Sequence, residues 1–394
     1  MLDPLRIPPG LQGSPIYLDY NATTPVDPAV VDAMLPYLAT HFGNPSSTHS
    51  YGHITHYAID NARQQVARLL HCLPAEIIFT AGGSESDNLA IRGVALDRCA
   101  EGNHIITQLT EHPAVLNACR ALERFHGFRV TYLPVDEAGR VSVAEVEAAI
   151  EEQTILISIM HANNETGTIQ PIAEIAEIAR RYGVLMHSDA AQTVGKIPTQ
   201  VDALGVDLLT IAGHKVYAPK GIGALYIRQG LQLEPIIYGG GQEAGRRAGT
   251  ENIAFIVALG TACSLAQELL SEHRVRLQGL RNLLHRRLEA YLPPGSVYLN
   301  GHATERLPNT LNISVEGVSG EEVLAATPEI ASSTGSACHE GNTEPSAVLL
   351  AMGYARDRAV GALRLTLGRW SSEQEVEQVA TLLARTIATL RNKR

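Results

Sequence analysis

The 394-residue chain has only five cysteines, Cys72, Cys99, Cys119, Cys263 and Cys338, and no CxxC pair. An odd count without paired spacing argues against a disulfide framework and a thiolate zinc site, and fits a reducing, cytoplasmic setting. The opening residues, MLDPLRIPPGLQGSPIY, lack the apolar stretch of a secretory signal. No apolar run reads as long enough to span a membrane, so no membrane partner is expected. No GxxxxGK[ST] occurs, which excludes a nucleotide P-loop. Basic residues are in the minority: 31 Lys and Arg against 41 Asp and Glu give a formal charge of −10. A chain that acidic is not expected to bind nucleic acid through a broad basic face. Internal repeats and low-complexity tracts are also missing.

What is present is an ordinary globular balance, 45% hydrophobic and 18% charged, at a length that asks for two lobes. From about residue 77, short β-type runs alternate with helical patterns. EIIFT (76–80), HIITQL (104–109), RVTYLPV, TILISIM (154–160), VLMHSD, DLLTIAG and GALYIR read as strands. Stretches such as SESDNLAIRGVALD and IAEIAEIARRYG between them read as helices. This rhythm predicts an α/β fold with a mostly parallel, doubly wound sheet. A second region opens with the helical LAQELLSEHRVRLQGLRNLLHRRLEAYL and carries the strands NTLNISV (309–315) and ALRLTLG, which suggests a smaller α+β lobe. The expected division is a large lobe over 25–263 and a small lobe formed by 1–24 with 264–394. The small lobe includes a polar loop at about 331–345 that holds Cys338.

In open α/β sheets, ligands bind beyond the carboxyl ends of the strands, and here the unusual polar residues fall there. AGGSESDN follows Thr80, with Ser84 placed as a helix N-cap and Asp87 three residues on. Such a helix start either holds a phosphate through free N–H groups and the helix dipole or is simply well capped. Asp189 ends an apolar strand and needs a partner, either a protonated ring nitrogen or a structural arginine. Lys215 directly follows another apolar strand, in AGHKVYAPKG. A lysine held in a pocket can form a Schiff base with an aldehyde, and pyridoxal 5'-phosphate is the common biological one. Phosphate turn, Asp and Lys on successive strands match an anchor, a pyridinium partner and an imine-forming amine.

Other features carry less. His49, His53 and His56 are spaced to share one face of a helix, but no carboxylate or cysteine completes a metal set, so none is expected. GGGQEAGRRAGT runs straight into the apolar IAFIVALGTAC and reads as an ordered loop, its Arg246 and Arg247 available to an anionic group across a subunit interface. Cys72, Cys99, Cys119 and Cys263 lie in or beside helical patterns and read as packing residues. Cys338, in SSTGSACHEG, does not, because that loop has no large apolar residue.

The chain resembles the cysteine desulfurases, within the class V aminotransferase-like group. The motifs run in order from YLDYNATTPVDPAV (17–30) almost to GALRLTLGRW (361–370). Between these lie FGNPSSTHSYG, FTAGGSESDN, EHPAV, HANNETGTIQPI, SDAAQTVGK, GHKVYAPKGIGALY, GGGQEAGRRAGTEN and SSTGSAC. The resemblance implies a fold type I, pyridoxal phosphate-dependent homodimer with its active site at the subunit interface. It implies that L-cysteine is converted to L-alanine, with sulfur passed to Cys338 as a persulfide. An acceptor or scaffold protein, for iron–sulfur cluster assembly or thio-modification, would then receive the sulfur.

By the same resemblance, Lys215 is the cofactor-bound lysine, Asp189 the pyridinium partner and Gln192 a donor to the phenolate oxygen. His112 stacks on the ring and moves protons. Asn164 lies near cofactor and substrate. Gly83, Ser84 and His214 match phosphate contacts, and Thr250 matches one made from the other subunit. Arg364 matches the arginine that grips the substrate carboxylate. Two departures stand out. Ala212 replaces a phosphate-contacting serine, and the cysteine loop carries an inserted Thr334 and a following His339. The loop still fits the branch with a long cysteine arm. The histidine is also similar to selenocysteine lyases, which leaves selenide release as the alternative reading; a transaminase of the same fold leaves Cys338 unexplained.

Overall fold

The computed structural model describes residues 6–13, 15–335 and 345–393. The first strand is β1 (Ile16–Tyr17). Then come β2 (Ile77–Thr80), β3 (His104–Gln108), β4 (Arg129–Leu133), β5 (Thr154–Ser158), β6 (Leu185–Asp189), β7 (Leu208–Ala212) and β8 (Gly223–Ile227). These seven form one sheet in the order β2-β8-β7-β6-β5-β3-β4. Only β8 runs against its neighbours; the other pairings are parallel. All but the edge strand β4 are buried along their whole length. That burial explains their near-continuous apolar runs, since a parallel strand is covered by helices on both faces.

The small lobe contains β9 (Val297–Leu299), β10 (Thr310–Val315) and β12 (Ala362–Thr366) as an antiparallel sheet, with β11 (Ile330–Ala331) paired to β1. The N-terminal segment therefore joins this lobe, through the β1–β11 pairing and through Leu18 in its core.

The two helical stretches on either side of residue 263 are one helix, Ile253–Tyr291. Its residues up to Ala266 pack into the core of the large sheet, and those from Leu277 to Leu288 pack into the core of the small lobe. The division expected at 263/264 thus falls inside a continuous rod ~58 Å long at 1.5 Å per residue. Contrary to the reading that no run is long enough, this helix could cross a membrane by length and composition. Half of its most apolar window is buried inside the protein, as in a core helix.

A second tie between the lobes is a buried ion pair. Arg369 binds the Asp27 carboxylate, and its guanidinium lies 4.3 Å from the Tyr217 ring centroid. Asp27 also caps the Pro28–Met34 helix, accepting from the Ala29 N–H at 2.8 Å. Asp27→Asn keeps the cap but leaves Arg369 as an uncompensated buried charge. The expected cost is about 3–5 kcal/mol, read as a lowered midpoint of denaturant unfolding at unchanged slope.

Candidate active site

A cavity of about 1020 Å³ lies between the carboxyl ends of the sheet strands and the small lobe. Gly83, Ser84, His112, Asn164, Asp189, Gln192, His214, Lys215 and Arg364 all line it. Thr250 does not; it is exposed at the end of the glycine-rich loop. Cys338 and His339 lie outside the described residues, but Gly335, three positions before Cys338, is part of the wall. Thr334 is not among the lining residues.

Lys215 ends a short 3-10 turn directly after β7. Its Nζ donates to the backbone carbonyls of Asn21 at 2.6 Å and Ala22 at 2.7 Å. Burial, helped by the nearby Arg364 charge, lowers its pKa to about 8. A substantial fraction of the amine is therefore neutral near physiological pH, the form a carbonyl carbon needs. Gln192 donates to the same Asn21 carbonyl at 2.9 Å and accepts from Lys196 Nζ at 2.9 Å.

Asp189 is the last residue of β6 and is buried. One oxygen accepts from the Ala191 N–H at 2.8 Å, and among the described residues no salt bridge reaches it. Burial raises its pKa, while His112 and Lys215 pull it back. A protonated ring nitrogen would supply the positive partner that the carboxylate lacks. His112 caps the Pro113–His126 helix by accepting the Ala114 N–H at Nδ1, 3.2 Å away. A nitrogen that accepts carries no proton, so the neutral ring is protonated at Nε2. Burial lowers the pKa of this imidazole and favours that neutral form.

The helix after β2, Gly83–Asp97, begins one residue before Ser84, and its N-cap is Gly82 rather than Ser84. The Gly82 backbone, at φ 151°, suits glycine and offers no side chain to cap the first turn. The first-turn N–H groups are therefore without a side-chain cap at the cavity wall, an arrangement suited to an anion. A Cβ on Gly83 would lie 3.2 Å from the Ala212 Cβ, so the methyl group at this departure packs beside the anion site. His214 bonds Thr23 Oγ1 through Nδ1 at 3.1 Å, and burial lowers its pKa to about 4. Arg364, on β12, pairs with Asp19 at 2.9 Å and keeps a buried Nε with no hydrogen-bond partner among the described residues.

An amine, a buried carboxylate, an anion-binding helix start and a guanidinium around one cavity fit pyridoxal phosphate and an amino acid. Several residues in this network were not singled out in the sequence. Asn21 joins Lys215, Gln192 and the small-lobe residues Asn309 and Thr310. Glu111, also in the wall, is buried with its pKa raised to about 8 by burial, though its Oε1 accepts from Met160 N and Gln108 Nε2. The only sequence signal for either was its place inside a polar motif, because its burial comes from distant segments.

The other features separate from the site. His49 is an N-cap, accepting from Gly52 at 3.4 Å, and His56 faces Asp60 at 3.4 Å. The glycine-rich loop is ordered, and Arg247 pairs within the chain to Glu85 at 2.9 Å. Cys119 and Cys263 are buried, but Cys99 is exposed and so is not the packing residue expected. Burial raises the thiols of Cys72, Cys119 and Cys263 to about 12, which keeps them protonated and unreactive.

Two measurements follow from this geometry. Covalent capture of added pyridoxal phosphate by the cofactor-free protein should accelerate as pH rises to about 8 and level off above, because the Lys215 amine is protonated below that pH. Ala212→Ser should tighten cofactor binding about tenfold if it adds one hydrogen bond to a charged phosphate, measured by equilibrium titration.

Residues 16–379 match the aminotransferase class-V family. The chain is 48% identical over 378 residues to cysteine desulfurase IscS of Dictyoglomus turgidum, covering 95% of each chain. It is 47% identical to the cysteine desulfurase of Mus musculus, covering 93% of this chain and 80% of that one. A NifS-like protein superposes with a TM-score of 0.88 at 36% identity, covering 95% of this chain and 99% of the other. SspA in complex with cysteine superposes with a TM-score of 0.79 at 39% identity, over 90% and 99%. With this site and these relatives, the chain belongs to the class-V aminotransferase family, among its cysteine desulfurases.

Proposed function

We propose that this protein takes sulfur from L-cysteine, leaves L-alanine, and holds the sulfur on Cys338 for delivery to an acceptor protein. The observation that carries this is that Lys215, Asp189 and Arg364 share one cavity wall with Gly335, the described residue leading into the Cys338 loop. Bound pyridoxal phosphate supplies an aldehyde for the amine and a ring that accepts electrons from the substrate.

Gly83, Ser84 and His214 would hold the phosphate, Asp189 would keep the ring nitrogen protonated, and Gln192 would face the ring oxygen. Arg364 would bind the substrate carboxylate, drawing on the Nε that has no partner among the described residues and competing with Asp19 at one Nη and the Asn164 carbonyl at the other. Lys215, freed from its two carbonyl partners, would carry a proton to and from the α-carbon. In the neutral ring His112 Nε2 is a donor, and Nδ1 is occupied by Ala114 N–H. The substrate amine therefore suits the task of deprotonating the thiol better than this imidazole. The Cys338 thiolate would then attack the substrate sulfur, forming the sulfur–sulfur bond as the carbon–sulfur bond breaks; the bonding pair would stay with the three-carbon fragment, which takes up protons and leaves as L-alanine.

A homodimer is part of the proposal. Leu35, Leu38, Phe42, Tyr51, Ile54 and Tyr57 are exposed large apolar side chains close together in the N-terminal part of the chain. Surface of that kind suits cover by another subunit, and Thr250, outside its own cavity, is free to serve a neighbour's. The expected setting is cytoplasmic, supported by the four free thiols among the described residues. Iron–sulfur cluster assembly or thio-modification is the expected use of the sulfur.

The test supplies L-cysteine and a thiol reductant to the pyridoxal phosphate-loaded protein. Alanine and sulfide should appear in equal amounts. Cys338→Ala should keep the cofactor and lose sulfide production by on the order of a hundredfold or more. Sulfide at the parent rate from that variant would refute the assignment of the nucleophile.

A further inference from the structure

Lys196 is buried and has no part in the chemistry above. It lies four residues after Gln192, in the turn that follows β6. Two pairs of backbone hydrogen bonds wind that turn. The Thr193 and Val194 N–H groups donate to the Ala190 carbonyl, and those of Lys196 and Ile197 donate to the Thr193 carbonyl. The winding brings the two side chains within hydrogen-bond reach. Lys196 Nζ donates to Gln192 Oε1 at 2.9 Å and to Asn21 Oδ1 at 3.4 Å.

Both acceptors are neutral amide oxygens, and among the described residues no salt bridge joins this amine. A buried ammonium with only neutral acceptors is costly. Burial, helped by the charges of Lys215 and Arg364, lowers its pKa to about 7. Above that pH the neutral amine still has an N–H for each acceptor.

The Gln192 amide is thereby held at both ends. Its Oε1 accepts from Lys196, and its Nε2 donates to the Asn21 carbonyl at 2.9 Å. A carbonyl only accepts, so the Asn21 contact fixes which end of the amide carries the hydrogens. The Lys196 contact fixes the opposite end and stops the group from turning about that single bond. One N–H of Nε2 is used by Asn21, which leaves the second for a ligand in the cavity that Gln192 lines. Asn21 Oδ1, the other acceptor of Lys196, also accepts from Asn309 Nδ2 at 3.0 Å in the small lobe. The amine therefore sits where the Gln192 turn meets the segment between the lobes.

We propose that Lys196 is a positioning residue for the cofactor, aiming the Gln192 N–H at its ring oxygen. The inference rests on the reading that pyridoxal phosphate occupies this cavity with its ring oxygen toward Gln192. An amide held at both ends loses little further freedom when the ligand arrives, whereas one held at a single end must be ordered then. Lys196 acts through this donated hydrogen bond and not through its charge. Lys215, Arg364 and His214 are the charged or titratable groups whose electrostatics couple to it among the described residues, and the test leaves all three in place.

An N–H donated to the ring oxygen draws electron density from it. The Lys215 nitrogen, bonded to the cofactor beside that oxygen, then loses its proton at lower pH. The pH midpoint of the cofactor's absorbance change reads this without substrate or turnover.

The experiment titrates the pyridoxal phosphate-loaded parent and the Lys196→Met, Lys196→Ala, Gln192→Leu and Lys196→Met/Gln192→Leu variants. Gln192→Leu removes the donor and should raise the midpoint by about one unit, the scale of one hydrogen bond to a charged oxygen. Lys196→Met should raise it by about half a unit, since the amide is still present but held at one end. Lys196→Ala should match Lys196→Met, because the two side chains fill the space differently and both lack the donor. The alanine variant also carries the comparison if methionine does not fold at this position. The double variant should sit at the Gln192→Leu midpoint, since no amide is left to aim. Parent midpoints in the Lys196 variants, or a double variant shifted by the sum of the single shifts, would overturn the proposal. Unlike midpoints for methionine and alanine would also overturn it, because the effect would then follow packing. A parent protein that gains no cofactor absorbance would overturn the cofactor reading and this inference with it.

Discussion

The backbone carbonyl of Asn21 accepts hydrogen bonds from both Lys215 Nζ and Gln192 Nε2, and much of the site depends on that shared acceptor. Asn21 sits just after β1, on a segment pressed between the lobes. Its side chain donates to Thr310 Oγ1 at 2.9 Å and accepts from Asn309 Nδ2 at 3.0 Å, both in the small lobe. Its backbone N–H reaches Thr366 on β12, two residues from Arg364. One asparagine thus fixes Lys215 relative to the Arg364 guanidinium, which is proposed to receive the substrate carboxylate. An error of an ångström in that relation would be costly to any reaction between groups held by different lobes. The Ile253–Tyr291 helix and the Arg369–Asp27 pair enforce the same relation from further away.

Burial sets the electrostatics around this frame. Asp87, Glu111, Asp189 and Glu165 are buried carboxyls lining one cavity, and burial is the largest cause of each raised pKa. The amines shift the other way for the same reason, Lys215 to about 8 and Lys196 to about 7. The protein's own groups therefore include acids biased toward protonation and amines biased toward neutrality. A ligand bringing a cationic ring nitrogen beside Asp189 and a phosphate beside the Gly83 turn reverses part of that penalty. Glu165, in the same wall, has its carboxylate bound instead by Ser346 Oγ at 2.5 Å.

Much of this was legible in the sequence, and the limits have physical causes. The parallel strands were readable because double-sided burial writes them as continuous apolar runs, and the polar residues at their carboxyl ends marked the cavity. Gly82 displaced Ser84 as the cap because φ 151° at that turn suits only glycine, a backbone demand that residue propensity does not reveal. The long helix was divided because its buried face changes partner midway, so its apolar pattern changes without a break in the backbone. Asn21, Glu111 and Glu165 went unremarked because asparagine and glutamate are usually surface residues. What makes each matter is contact with segments far away in the chain. Cys338, the most suggestive residue of the sequence, lies outside the described residues, and the described residue nearest before it, Gly335, lines the cavity.

The central claim is that Lys215, held by the Asn21 carbonyl, is the amine that receives the cofactor aldehyde. Two other lysines compete: Lys196, buried beside Gln192, and Lys220, on the cavity wall. The direct measurement is borohydride reduction of the protein with one equivalent of pyridoxal phosphate, followed by peptide mapping. The account predicts the added mass on Lys215 and on neither of the others. Labelling of Lys196 or Lys220 with Lys215 unmodified would contradict it.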